Sequence, residues 1–480
     1  MPSAASHSLL VAIIVSSALF MQLLDGTVIA TALPQMAVSF GTSPIDLSIG
    51  ITAYILTVAV FIPVSGWVAD RLGTRTVFGG AIAVFTLGSI LCGLSTGLWP
   101  FTLARIVQGV GGAMMVPVGQ LVVLRNAEKG ELVRAMNFVT VPGLVAPVIG
   151  PPVGGFITTY ASWHWIFFLN VPIGLLGIAL VSLFIGNHRG ATRKPLDLRG
   201  FALTSVALVA LIYGLERIGQ GEGDWPPTAG LLVLGAVVAA LALRHARRHP
   251  HPLPDLAPLA YRTYAITIGS GALFRLMIGA TPFLLPLLLQ VGFGMTAFAS
   301  GVLILAHSGG DLAMKAMTRR TYRRFGFRRV LVWNGVAVAA AMAAYALLSP
   351  GSALPVILAV LLVSGALRSL QFTGLNTLGY AEIPPAGMSA ATTLSSMVQQ
   401  ISIGTGVALG AILLQVAMVL RGAPDAALSV ADFRFAFIAV ALLGLVSGLF
   451  FLTLKPGDGG EVSGHRARGR LATRGAEAAD

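Results

Sequence analysis

Stretches of about 20 apolar residues recur along the whole length of this chain, and their recurrence limits the available folds more than any single motif does. Each is long enough to cross ~30 Å of hydrocarbon as a helix, in which every backbone polar group finds its partner inside the segment. A membrane barrel would instead alternate apolar and polar residues in pieces of ~10. Of 480 residues, 56% are hydrophobic and 10% charged, against roughly a quarter charged in soluble domains. So much apolar surface cannot hide in one aqueous core and has to face lipid. The expected fold class is all-α and polytopic.

Hydropathy places about fourteen spans, beginning near residues 9, 47, 77, 100, 136, 164, 199, 228, 264, 296, 328, 354, 391 and 433. No basic segment precedes the first. It runs into Asp25, Thr27 and Pro34 rather than a small-residue cleavage site, so it reads as a retained span and not a signal peptide. The single cysteine, Cys92, lies within an apolar run and excludes a disulfide framework or thiolate cluster. There is no H-E-x-x-H motif, catalytic Cys/His pair or nucleotide loop. The sequence therefore predicts no enzyme, catalytic residue, cofactor or metal.

A net charge of +13 would point to nucleic acid in a soluble protein, but here the charge alternates from loop to loop. Arg71 and Arg75; Arg125, Lys129 and Arg134; Arg189, Arg193, Lys194 and Arg199; and Arg244, Arg247, Arg248 and Arg262 fall on one side. So do the run from Lys315 to Arg329 and the tail from Lys455 to Arg474, which brings that side to 25 of the 31 Lys and Arg. The other side has Arg217, Arg421 and Arg434, and Arg105, Arg275 and Arg368 lie inside spans. Basic residues collect on the cytoplasmic side, so both termini are expected there, in a bacterial inner membrane. Anionic lipid is then the natural neighbour of this charge, and nucleic acid is not an expected partner.

The segment from Gly200 to Leu243 is basic at both ends, with Glu216, Glu222, Asp224 and Trp225 toward its middle. It reads as a two-span hairpin whose removal leaves twelve spans of unchanged sidedness. Glu216, near the turn, is expected to be solvated. The predicted organisation is a six-helix half over 1–186, a linker with the hairpin over 187–262, a second six-helix half over 263–455, and a disordered tail over 456–480.

Two loops resemble each other. In GWVADRLGTRTVF (66–78) and RRTYRRFGFRRVL (319–331), Arg71, Gly73, Arg75 and Val77 align with Arg324, Gly326, Arg328 and Val330, as two parallel halves would produce. The first loop is similar to the signature loop of the major facilitator superfamily, G-x-x-x-D-R-x-G-x-R. LDGTVIATALP (24–34), LARIVQGVGGAMMVP (103–117), GPPVGG (150–155) and SWHWIFFLNVPIG (162–174) follow in register and resemble markers of its fourteen-span drug:proton antiporters. The resemblance covers essentially the whole chain. It implies two six-helix halves with a two-helix insertion, and proton-coupled export of drugs or small amphipathic compounds by alternating access. The expected partners are the bilayer, protons and a small-molecule substrate, with a monomer as the working unit. The second loop departs from the pattern, with Arg323 where the first has Asp70.

A carboxylate within a span is expensive and by default functional. Asp25 is placed ~12 Å from the periplasmic end of its helix and Arg105 ~8 Å from the same side. Low dielectric favours a neutral carboxyl and a nearby guanidinium a charged one, which makes this pair a candidate proton switch. The alternatives are a structural hydrogen bond for Asp25 and backbone-bonding for Arg105. Gln22 and Gln108, a turn from each, are candidate substrate or switch contacts. Asp70, Arg71 and Arg75 are expected to gate, and Gly150, Pro151, Gly154 and Gly155 to give the fifth span a smooth face for rocking.

In the second half, Arg275 and Arg368 would attract a carboxylate or phosphate. That gives the alternative cargo: organic anions or metal–carboxylate chelates. The competing reading pairs them internally with Asp311 or Gln371. His307, Asp311 and Lys315, spaced by four, form either a proton relay or, the favoured reading, an interfacial salt bridge.

Overall fold

A computed structural model describes residues 4–126, 132–189, 195–221, 225–384, 387–422 and 427–465. Among these residues the chain is helical and contains no strand. The first half comprises α1 (Ala4–Phe40), α2 (Ser48–Leu72), α3 (Thr74–Gly93), α4 (Leu98–Asn126) and α5 (Leu132–Tyr160), then α6 (Trp165–Phe168) and α7 (Asn170–Phe184). The hairpin follows as α8 (Leu198–Gly219) and α9 (Trp225–Ala246). The second half is α10 (Arg262–Leu287), α11 (Ala297–Phe325), α12 (Phe327–Leu347), α13 (Leu354–Gly379), α14 (Met388–Leu420) and α15 (Val430–Phe450), and α16 (Gly460–Ser463) lies in the tail.

Thirteen of these segments are long and apolar enough to cross a membrane among the described residues, with α6 and α7 forming one of them. The 29-residue α5 is also of spanning length, which gives the expected fourteen. Their exteriors are apolar, with Leu175, Leu183, Val233, Val237 and Trp333 turned outward, as a lipid-facing surface requires.

The two similar loops fold alike. Gly73 caps α2 and opens α3 at φ 95°, and Gly326 does the same between α11 and α12 at φ 75°. That backbone region is nearly closed to other residues, which is why a glycine recurs at the aligned position.

The first half packs α1 against α5, α4 and α7, and α4 against α2 and α3. The second packs α11 on α13, α12 on α15, and α10 on α14 and α15. The halves meet chiefly through α5–α11 and α2–α14, with α1 touching α10. At the end away from the basic loops, one apolar core runs through both halves, joining Leu24, Val28 and Leu33 of α1 to Phe274, Phe283 and Leu287 of α10. Toward the basic end, the first half has its own separate core of Val11, Val15, Phe78, Phe85 and Val122. The shared core thus seals the halves together at the end away from the basic loops.

Pro151 explains part of the seal. A proline has no N–H to give the carbonyl four residues back, so the Pro147 carbonyl lacks its helical donor. Ser308 Oγ of α11 donates to it at 3.0 Å instead, converting a local helix defect into a bond between halves. In the hairpin, α8 lies on α2 and α14, whereas α9 packs on α8.

Residues 456–465, assigned to the disordered tail by the sequence reading, contain a turn and α16, and His465 Nδ1 lies 3.0 Å from the Arg323 carbonyl. Residues 466–480 lie outside the described residues, as do Lys129, Arg193, Lys194, Glu222 and Asp224.

Candidate functional site: a buried ion pair between the first and fourth helices

Asp25 sits deeper than its sequence position implied, because α1 continues through Pro34 to Phe40 and leaves it ~22 Å from that end. Its Oδ2 accepts a hydrogen bond from Arg105 Nη1 of α4 at 2.7 Å, and both side chains are 1% exposed. Its Oδ1 accepts from Gln108 Nε2 at 2.9 Å and Asn170 Nδ2 at 2.8 Å. Ser89 Oγ accepts from both amides, at 2.8 Å and 3.1 Å. Arg105 is also held from other directions: it donates to Gln108 Oε1 and lies over the Tyr54 ring at 4.2 Å.

Helix packing makes this approach possible. Gly88 and Gly111 lie where a Cβ would meet backbone atoms of the facing helix, at 2.6 Å from Gln108 Cα and 2.5 Å from Phe85 N. That proximity brings Ser89 of α3 beneath Gln108. Gln22 lies by the same group, near Gly112 and Tyr54. The arrangement can hold Asp25 charged against Arg105. If Asp25 takes a proton, the guanidinium retains the Gln108 carbonyl and the Tyr54 face.

Sequence reasoning brought Asp25, Arg105 and Gln108 to one depth but missed Asn170, Ser89 and Tyr54. Asn170 stands as a lone amide in WIFFLNVPIG, and a polar side chain within a span was the available signal.

In the second half, the reading of internal pairing with Asp311 holds for Arg368 and not for Arg275. Arg368 is ion-paired with Asp311, so the two cations are not equivalent. Arg275, 2% exposed, donates to Asn376 Oδ1 at 3.1 Å and toward the Thr267 carbonyl at 3.5 Å. No carboxylate among the described residues pairs with it, and its Nε has no hydrogen-bond partner. Gln371, read as a substrate or Arg contact, instead accepts from Asn334 Nδ2 and donates to the Leu331 carbonyl within the α12–α13 packing.

His307 is buried against Ser364 Oγ, 2.9 Å from its Nδ1, and Tyr345. Asp311 turns to Arg368 rather than to Lys315, and no ion pair joins Asp311 and Lys315 among the described residues. The interfacial salt bridge expected along this face is therefore replaced by a bond between α11 and α13.

At the first basic loop, Asp70 accepts from Arg125 at 2.7 Å, Arg71 covers the Trp67 ring at 4.6 Å, and Arg75 is exposed. The fifth-span motif has two faces. Gly154 places its backbone against Val28 and Thr31 of α1, at 2.6 Å and 2.7 Å from a notional Cβ, and Gly150 meets Thr27. Pro151 and Gly155 meet Gly301 and Ala297 of α11.

Glu216 is not solvated. It is 1% exposed, with its Oε2 accepting from Ser48 Oγ of α2 at 2.8 Å. The turn-proximal reading failed because α2 and α14 close over α8 at this point.

At the hairpin's opposite end, Asp197 caps α8, and its carboxylate accepts from the N–H groups of Gly200 and Leu253. His245 Nε2 lies 2.9 Å away and His249 Nδ1 3.8 Å away. Burial opposes the charge, but the Gly200 N–H, His245 and the Leu253 N–H together hold the Asp197 carboxyl below its ordinary range. His249 Nδ1 already accepts from the His251 N–H, so the cluster works as a clasp closing the hairpin. At the opposite end of the first half, before α6, burial lowers the affinity of His164 for a proton.

Residues 15–407 match the family model described as the Major Facilitator Superfamily. The chain belongs to that superfamily; it is a membrane transporter and not an enzyme. It is 39% identical over 444 residues to the MdtD multidrug resistance protein of Citrobacter koseri, covering 91% of this chain and 93% of that one. Its identity to MdtD of Escherichia coli K12 is 38% over 442 residues, with the same coverage. The fold is similar to a POT family transporter solved with 5-aminolevulinic acid, at TM-score 0.68, 13% identity and coverage of 93% and 96%. It is also similar to the inward-open xylose transporter XylE of E. coli, at TM-score 0.60, 12% identity and coverage of 93% and 95%.

Proposed function

We propose that this transporter exports small amphipathic compounds in exchange for protons, with Asp25 as the proton-coupling carboxylate and Arg105 as its switch partner. The observation that carries this reading is the fully buried Asp25–Arg105 pair, in which one oxygen faces a cation and the other two amides. A buried ion pair is costly to keep and more costly to break by removing one partner. A proton on Asp25 is the one small change that cancels its charge without moving the backbone. Arg105 is then left to Gln108 and Tyr54, and the α1–α4 contact weakens. The names of the MdtD relatives support export of drug-like compounds.

The basic loops, and with them both termini, are assigned to the cytoplasm by their excess of Lys and Arg. The end sealed by the shared core then faces the periplasm. Rocking proceeds along the fifth-span motif, whose glycine backbone slides on α1 and separates from α11. Asp70, Arg71 and Arg75 steady the cytoplasmic end, with Asp70 held by Arg125 in this state.

A second reading of the cargo is favoured by one feature. Arg275 is a buried guanidinium with no carboxylate partner among the described residues, and such a group would receive an organic anion or a metal–carboxylate chelate. Arg368 is already neutralised by Asp311 and has less to offer.

Everted membrane vesicles carrying a fluorescent pH probe test the coupling. Addition of a lipophilic cationic dye or of citrate, as alternative cargo, moves protons in the wild type and not in Asp25→Asn. Proton movement equal in both overturns the role of Asp25.

A further inference from the structure

Glu216 is a carboxyl group in the seam between the two halves, and among the described residues no cation forms an ion pair with it. It lies near the end of α8, one turn before Gly219, whose backbone meets Ala411 and Ile412 of α14 at 3.2–3.3 Å from a notional Cβ. Gly221, just beyond, meets the Gln415 side chain of α14. On its other side, Ser48 donates to Oε2 at 2.8 Å, and Thr52 lies one turn further along α2. Oε1 and Thr52 Oγ1 each lack a hydrogen-bond partner of good geometry. The carboxyl therefore lies where α2 of one half, α14 of the other and the accessory hairpin converge, at the sealed end.

The ionisable groups on the elements packed here have other partners. Asp46, before α2, accepts from Thr42 and Ser43; Tyr54 of α2 faces Arg105; Arg217 donates to Thr228; Arg421, after α14, pairs with Asp432. Tyr213 precedes Glu216 on α8, and α9 carries no charged residue from Trp225 to Leu243. Among the described residues no Lys, Arg or His forms an ion pair with Glu216. An uncompensated carboxylate in such a place is strongly disfavoured, whereas a carboxylic acid is accommodated and can itself donate a hydrogen bond.

From this geometry we infer that Glu216 is a second proton-binding site, a latch that holds the α2–α8–α14 seam closed when protonated and releases it when ionised. The inference rests on the proton-coupled reading of the transporter but uses a different carboxyl. It also gives the accessory hairpin a task. Opening the sealed end admits water to Glu216 and lets it ionise; reprotonation from that side favours closure. Because the group is neutral when the seam is shut, Glu216→Gln mimics the shut form.

Infrared difference spectroscopy on the purified full-length protein, titrated between about pH 5 and pH 9, tests this. A carbonyl band of a protonated carboxylic acid persists to a pH at which exposed acids are ionised. The band is present in wild type and Asp25→Asn and lost in Glu216→Gln. Its survival in Glu216→Gln overturns the proposal. Ser48→Ala removes the donor yet keeps the acid, so it shifts the same band; an unshifted band also contradicts the latch. Labelling of a Ser300→Cys reporter on α11, buried in this conformation, rises with external pH in the wild type. In Glu216→Gln it stays at its low-pH level. A purely structural Glu216 would leave that pH dependence intact. If Asp25 fails as the coupling group while the band still follows Glu216, the latch stands on its own.

Discussion

Arg105 Nη1 and Asp25 Oδ2 meet at 2.7 Å, with both side chains withdrawn from solvent. Neither charge has a second opposite charge to turn to among the described ion pairs, so the stability of each depends on the other.

Removal of one partner should therefore cost more than removal of both. Arg105→Met is expected to destabilise the protein by ~3–5 kcal/mol at neutral pH, read as a lower apparent melting temperature in detergent. Adding Asp25→Asn to that variant restores part of the loss. Melting shifts that simply add would mean that the two side chains act independently.

The α5–α11 seal depends on backbone meeting backbone. A Cβ at Gly155 would collide with the Ala297 carbonyl, so Gly155→Val should pry the seam apart. The expected result is faster thiol labelling of a Ser300→Cys reporter, which is inaccessible in this conformation, together with weaker transport. Unchanged labelling would place the seal elsewhere.

The hairpin clasp carries a signed pH dependence. Asp197 has its folded-state proton affinity lowered, chiefly against the cost of burial, by the Gly200 N–H, His245 and Leu253 N–H bonds. Its stabilisation is thus present above the unfolded carboxyl value near pH 4 and lost as pH falls through the lower folded value. Asp197→Ala, which also loses a helix cap worth ~1 kcal/mol, should speed hydrogen exchange at the start of α8. The gap from wild type holds above about pH 5 and narrows below about pH 4.

The two second-half arginines should behave differently. Arg368→Ala strands Asp311 and lowers stability, because their ion pair joins α11 to α13. Arg275→Gln leaves no acid behind. If the cargo is anionic, Arg275→Gln abolishes competition by citrate against a cationic dye while protein yield is maintained. Equal inhibition by citrate in both proteins would exclude the anion reading.

The spans were legible because ~20-residue apolar runs have few alternatives. Every helix forming a span begins within five residues of its expected start. The Asp25–Arg105 encounter was legible because a charge in hydrocarbon needs a partner and few were available, although the expected depth of Asp25 was too shallow. The Arg368–Asp311 pair remained ambiguous because Arg275 lies in the same half and hydropathy gives no rotation of one helix about another. Asn170 and Ser89 were hidden for a different reason: neutral polar side chains in a span are common, and their importance comes from the carboxylate they serve. Glu216 was misplaced because Arg217, Gln220, Glu222 and Asp224 follow it in sequence, whereas its neighbours in space are α2 and α14.

The central claim is coupling through Asp25, and it is tested most directly by separating exchange from net transport in proteoliposomes. Using a fluorescent cationic dye as cargo, Asp25→Asn is predicted to retain dye-for-dye exchange, which needs no change of protonation, and to lose uptake driven by a pH gradient. Full gradient-driven transport in Asp25→Asn would contradict the account.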